Sequence, residues 1–162
     1  MVSRSWYLLA ITLVALSVGA SHAHVLELPA KLSLGAADYL TVQQIYRWFG
    51  PVGSVLEPAS IAVTIGLLIA ARGRPSFRYN GAATALLVVA LATWFVVVSP
   101  MNAEFSRWVG GVPASWTSVR ARWEWGHVAV FALKLVGLVV LIAGALAGVS
   151  WREPPHVRPD VS

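Results

Sequence analysis

The sequence predicts an all-α fold: a four-transmembrane-helix bundle with a short amphipathic extracytoplasmic helix. Three observations carry that expectation. Hydrophobic residues make up 57% of the 162 residues and charged residues only 12%, whereas a soluble domain carries roughly 25% charged residues. Mean hydropathy is +0.70. The apolar residues are also gathered into four stretches, each near the ~20 residues a helix needs to cross a bilayer. In lipid a single span must satisfy its own backbone, so these stretches read as helices. The same composition excludes a soluble enzyme, a disordered tail protein and a nucleic-acid module. The +5 balance comes from 12 Lys and Arg against 7 acids, and no basic patch is dense enough to bind nucleic acid. The chain has no cysteine, which removes disulfides, thiolate nucleophiles, Cys-ligated zinc and iron–sulfur clusters.

The elements follow in order. The first span covers about residues 5–25 and holds no acid or base except His22 and His24. Residues 36–49 read as the amphipathic helix lying over the bundle, from which Gln43, Gln44 and Tyr46 can present polar groups. The second span covers about 52–71 and contains one charge, Glu57. Gly50-Pro51 marks a break before it, and Arg72-Gly73-Arg74-Pro75 makes the turn after it. The third span lies between Arg78 and Glu104, closed by Pro100. The fourth follows Glu124 to about Trp151 and contains one charge, Lys134. Residues 1–150 therefore make a single membrane domain. Residues 151–162, rich in Pro and charge, read as a disordered cytoplasmic tail.

Arg4, Arg72, Arg74, Arg78, Arg152 and Arg158 fall on one side of the membrane. Lys31, Arg47, Arg107, Arg120 and Arg122 fall on the other. Three of the first group crowd into one short turn, which places both termini in the cytoplasm of a plasma or inner membrane. A competing reading takes residues 1–23 as a signal peptide with Ser21-His22-Ala23 at its cleavage site, leaving His24 as a copper-binding amino terminus.

Depth then groups the polar residues. A helix rises about 1.5 Å per residue, which places Glu57 roughly 7 Å below the outer surface. Counted this way, His22, His24, Glu27, Glu57, Asn102, Glu124, His127 and Lys134 share one outer layer. The inner two-thirds of the membrane holds almost no ionisable group. Such residues are costly in lipid and face a bundle interior or a cavity. His24 and Glu27 form H-x-x-E, and Glu124 and His127 form E-x-x-H. Residues three apart share a helix face, so each helix can offer an imidazole and a carboxylate to one point. Helix bundles build metal sites this way. His24, Glu27, Glu57, Glu124 and His127 are the candidate ligands, a set suited to iron, zinc or manganese. Plainer readings stand beside this one. Glu124 can pair with Arg120 on a solvated face, Glu57 can pair with Lys134 as a buried ion pair, and the histidines can be interfacial hydrogen-bonding groups. His22 points elsewhere, and His156 lies in the tail.

The outer side is also aromatic, with Trp48, Trp108, Trp116, Trp123 and Trp125 joined by Tyr39, Tyr46, Phe49 and Phe105. Either these form a lid for a flat apolar ligand, or they are a thick interfacial belt. Arg120 and Arg122 can bind an anion or an enolate oxygen, or snorkel to headgroups.

The runs HVLELPAKLSL and YLTVQQIYRWFG, the Pro-x-Asn ending at Asn102, then Trp108 and WTSVRARWEWGH, together resemble the anthrone-oxygenase-like family of small four-helix membrane proteins. The resemblance spans nearly the whole chain. The family's Asn…Trp…Trp-x-x-x-Arg-x-x-Trp-Glu-x-x-His pattern maps onto Asn102, Trp108, Trp116, Arg120, Trp123, Glu124 and His127, and its first-helix His onto His24. It implies oxidation of anthrone-like substrates by O₂. Glu124 or His127 would take a proton, and Arg120 or a metal would hold the enolate, with Asn102 also in the catalytic group. Trp108, Trp116, Trp123, Tyr46 and Gln44 would bind the rings. Either an iron or other divalent metal is essential, or the substrate supplies the electrons itself with no cofactor.

Three functions are therefore expected in competition. One is an O₂-dependent oxidoreductase acting on a lipophilic aromatic or phenolic molecule. Another is a haem-binding electron-transfer protein with His24 and His127 as axial ligands. The last is a non-enzymatic membrane subunit whose polar layer is an ion-pair clasp. Membrane lipids are partners in each, and nucleic acid in none.

Overall fold

The computed structural model describes residues 4–108 and 111–148, all helix and connecting turn. The tail expected at 151–162 lies outside the described residues. Helix α1 is Arg4–Leu32 and α2 is Ala36–Gln43; a 3₁₀ turn, Gln44–Trp48, leads into α3, Phe49–Ala70. Helix α4, Ser76–Thr93, passes through a π-turn, Trp94–Val98, into α5, Ser99–Phe105, and α6 is Trp116–Gly148. Four stretches are long and apolar enough to cross a membrane: Arg4–Leu32, Ala36–Ala70, Ser76–Phe105 and Trp116–Ala147. The protein is an integral membrane four-helix bundle. In it, α1 packs on α3 and α6, and α4 packs on the same two.

Each helix buries one narrow seam. On α1 it runs through Tyr7, Ala10, Val14, Ser17, Ser21 and His24, in alternating steps of three and four residues. On α6 it runs through Trp123, His127, Val130, Lys134 and Leu141. On α4, Ser76, Asn80, Ala83, Leu87 and Ala90 keep the same steps. This 3.5-residue period keeps a seam facing its neighbours along a supercoiled bundle. The chemistry is the reverse of a soluble bundle: seams carry small and polar residues, while Leu8, Leu16, Val139 and Leu146 face outward. Lipid tails are as apolar as leucine, so close packing and interhelical hydrogen bonds hold such helices together. Both diagonals are crossed by polar bonds: Tyr7 with Asn80 between α1 and α4, and Lys134 with Glu57 between α6 and α3.

Two expected breaks are absorbed instead. Gly50-Pro51 sits in the first turn of α3, where proline's missing N–H would have no helical partner anyway. The amphipathic segment therefore runs into the second span through one 3₁₀ turn. Pro100 does not end the third span either. It has no N–H for the Val96 carbonyl, and its ring would clash there. The chain widens into the π-turn, where the Ser99 N–H donates to the Trp94 carbonyl. Pro29 and Pro58 also lie inside helices, near the same end of the bundle. The fourth helix begins at Trp116 rather than near Glu124, so the E-x-x-H motif lies two turns inside it. Gly73, at φ 76°, makes the turn between α3 and α4, a conformation that favours glycine.

Candidate functional site

The α1 and α6 seams bring His24 and His127 together, with ring centroids 4.1 Å apart and both side chains buried. Nδ1 of His127 lies 3.0 Å from the Trp123 carbonyl oxygen. A carbonyl only accepts, so Nδ1–H is the donor, and the neutral ring keeps its lone pair on Nε2. Trp123 packs against both imidazoles, with centroids 4.0 Å from His127 and 5.1 Å from His24. Its Nε1–H donates to Asn102 Oδ1 at 2.6 Å. Tyr46 covers the other side of His24 at 4.3 Å. Gly126 lets α6 lie close against the π-turn: a Cβ there would lie 2.9 Å from Val98 Cγ2.

These groups line a cavity of about 680 Å³. Its wall is mostly apolar, from Phe49, Val52, Leu91, Trp94 and Phe95 among others. Glu57 and Lys134 also line it, with Glu57 Oε1 2.5 Å from Lys134 Nζ. Ser17 Oγ donates to the same carboxylate oxygen at 2.8 Å, and Lys134 Nζ donates to Ser21 Oγ at 3.0 Å. An ammonium has three donors, and these bonds use two. Lys134 projects toward its helix N-terminus, as side chains on a helix do, which is toward His127.

A second polar cluster lies beside the cavity without lining it. Lys31 Nζ is 2.8 Å from Glu124 Oε1, and the Tyr39 hydroxyl donates to that same oxygen at 3.0 Å. Gln43 Nε2 in turn donates to the Tyr39 hydroxyl at 2.5 Å. The Lys31 ammonium also sits over the Trp123 and Tyr46 rings, at 4.4 and 4.6 Å. Arg120 Nη1 donates to the carbonyls of Lys31 and Leu34, and its guanidinium stacks on Trp116 at 4.5 Å. This network ties the end of α1, the following turn and α2 to α6.

Of the candidate residues, the cavity gathers His24, His127, Asn102, Tyr46, Trp123 and Glu57. Glu124, Arg120 and Trp116 belong to the clasp. Trp108 packs edge-on against Phe105 at 4.8 Å. Glu27 does not line the cavity, and its Oε2 is buried without a hydrogen-bond partner. Gln44 lines a second cavity of about 380 Å³ that shares Tyr46, Asn102 and Trp123 with the first. The mirrored motifs therefore deliver their imidazoles to one place but not their carboxylates. Among the described residues no group of three or more His, Asp or Glu is placed to hold a metal ion. Two imidazoles make two ligands; Oε1 of Glu57 and of Glu124 each pairs with a lysine, while His24 Nδ1, Glu27 Oε2 and Glu124 Oε2 are buried without a hydrogen-bond partner. As placed, the two imidazoles are fewer ligands than an iron, zinc or manganese site needs. Nor do the imidazoles fit haem. At 4.1 Å between centroids they stand closer than two axial ligands across an iron. The Glu57–Lys134 pairing expected as a plainer reading is present. Glu124 pairs with Lys31 rather than with Arg120.

Sequence reasoning counted Lys31 only as a loop charge. Its spacing carried the signal, since it lies seven residues after His24 and so on the same seam. Ser17 and Ser21 follow from that seam as well. Trp94 had no signal of its own, because the π-turn decides where it points. No family model matches this chain, and no curated protein and no solved structure is similar to it.

Proposed function

We propose that this protein is a membrane oxidoreductase that uses O₂ on a lipophilic aromatic substrate with an acidic CH₂ beside a carbonyl, and that the cavity end of the bundle faces outward. The observation that carries this reading is the buried histidine pair on the wall of an apolar cavity. His127, with its proton committed to the Trp123 carbonyl, presents Nε2 as a base. It takes one proton from the CH₂. The negative charge moves onto the carbonyl oxygen, where the remaining Lys134 donor holds it in a low-dielectric site. The carbanion carbon bonds O₂, a proton returns to give a hydroperoxide, and loss of water leaves a second carbonyl. The balance is R₂CH₂ + O₂ → R₂C=O + H₂O, so the substrate supplies all the electrons and no reductant enters. The aromatic wall, Phe49, Trp94 and Trp123, holds the rings and excludes water. The motif resemblance to anthrone-oxygenase-like proteins points the same way.

The test is O₂ uptake by detergent-purified protein with anthrone, followed by quinone absorbance. One O₂ consumed per quinone formed, with turnover lost in His127→Ala, is the expected result. Metal content measured on the same sample is expected to fall well below one per chain. Stoichiometric metal, together with turnover abolished by a chelator, would replace this route with the metal-dependent one. The clasp around Lys31 and Glu124 favours a second reading, a non-enzymatic subunit. That reading stands if no acidic CH₂ substrate turns over while Glu124→Gln loosens the bundle.

A further inference from the structure

The cavity reaches two environments at once. Part of its wall is buried in the bundle: His24, Trp123 and Val130. Another part, Trp48, Val52 and Phe95, is more than half exposed on the outer surface of membrane-spanning stretches. A single cavity bounded by both sets opens sideways, between α3 and the π-turn, on the apolar outer surface of two stretches long enough to span a membrane. The gap has a local cause. On the α3 side the wall is thin, with Gly50, Gly53 and Ser54. A Cβ built on Gly50 or Gly53 meets no atom within 4 Å. On the other side the π-turn sets Trp94 and Phe95 at right angles, with centroids 5.1 Å apart. Farther along the same two helices the gap closes, since a Cβ on Gly81 would already touch Leu68 Cδ1 at 3.4 Å.

Polarity is graded along this opening. The mouth is aromatic and aliphatic. The buried hydrogen-bonding groups His24, His127 and Lys134 are inside. Ligand sites of this size combine an apolar wall with a few placed polar groups that fix orientation. A ligand with an apolar ring body and one carbonyl or phenol end matches that order. Dissolved in the bilayer, it would also meet no desolvation step at the mouth.

We infer that the cavity is loaded laterally from the bilayer, by a membrane-dissolved aryl ketone or phenol that passes between α3 and the π-turn and presents its oxygen to the histidine pair. This rests on the proposed oxidation for its substrate class, but its test does not depend on turnover. Benzophenone is an aryl ketone that partitions into membranes and inserts into C–H bonds on illumination, and it has no CH₂ to oxidise. The intact protein in phosphatidylcholine vesicles is illuminated with benzophenone, and adducts are mapped by peptide mass spectrometry. Adducts are expected at the interior positions around His24 and Val130 as well as at outward residues such as Val139. Gly53→Phe, whose side chain has open space to occupy, is expected to lose the interior adducts and keep the outward ones. Gly50→Phe, which likewise has open space at the mouth, is expected to do the same and serves if Gly53→Phe does not fold.

Interior labelling that survives Gly53→Phe in folded protein would overturn the lateral route. So would labelling confined to outward residues in the wild type, the result expected if lipid chains fill the mouth. Interior labelling without any O₂ uptake would leave the route standing and remove the oxidation. O₂ uptake without interior labelling would do the opposite.

Discussion

Two lysine–carboxylate pairs of the same chemistry sit in this bundle in different surroundings. Lys31 and Glu124 are sealed, with side chains 3% and 0% exposed and with hydroxyl, amide and aromatic partners on several sides. Lys134 and Glu57 border a cavity, and the Glu57 side chain is 18% exposed. Removing two ions from water costs several kcal/mol each, which only close pairing and extra hydrogen bonds offset. In the sealed pair Lys31 and the Tyr39 hydroxyl share Glu124 Oε1, while Oε2 is buried without a hydrogen-bond partner, and the bonds that are made fasten α2 over the end of the bundle. The cavity pair lines open space, and its lysine makes two hydrogen bonds of a possible three. Identical residue types therefore differ in role because of what stands next to them.

That contrast can be broken by substitution. Glu124→Gln leaves the Lys31 charge buried and unpaired, which costs about 3–5 kcal/mol. Unfolding by SDS titration should show a large loss, and Lys31→Met added to it should restore most of the stability. If the single change is silent in unfolding, the sealed pair is no clasp. His127→Ala tests the opposite region. Removing a general base costs on the order of 10²-fold in rate, so O₂ uptake with anthrone should collapse while the unfolding midpoint falls less than in Glu124→Gln. A midpoint shift as large as that of Glu124→Gln would make His127 a structural residue. Lys134→Met combined with Glu57→Gln removes the cavity pair without leaving a lone charge. Turnover should fall about tenfold, the smaller loss expected where one of several electrostatic contacts goes, with stability nearly kept. Equal turnover would show that the pair holds no oxyanion. The smallest effect is expected at the far end, where Tyr7→Phe removes the buried hydroxyl that hydrogen-bonds to Asn80. That costs about 1 kcal/mol and should leave O₂ uptake unchanged. Any loss of turnover there would mean the two ends of the bundle are coupled.

Much of the architecture was legible in advance because lipid leaves few alternatives. Four apolar stretches had to be helices, and their polar residues had to turn inward. The pairing of His24 with His127 was legible for the same reason, since depth counting along two helices put them at one level. The prolines were not. Gly50-Pro51 and Pro100 look alike as breaks in sequence, yet one sits in a first turn and the other is absorbed by a π-turn. Whether a proline ends a helix depends on what the neighbouring helices will support. The partner of Glu124 was also hidden. Arg120 is one turn away and Lys31 is 93 residues away in the chain, and the nearer cation turned instead to the carbonyls of Lys31 and Leu34.

Composition and periodicity alone determined the class of this protein, its number of spans and the end of the bundle where its buried ionisable residues gather. Those are properties of each helix meeting lipid by itself. Which carboxylate stays near an imidazole and which is taken by a lysine was decided only in the folded bundle. So was the opening of a cavity between α3 and the π-turn. Both depend on the rotation of one helix against another, and a few tens of degrees of rotation separate a residue that lines a cavity from one that seals a clasp.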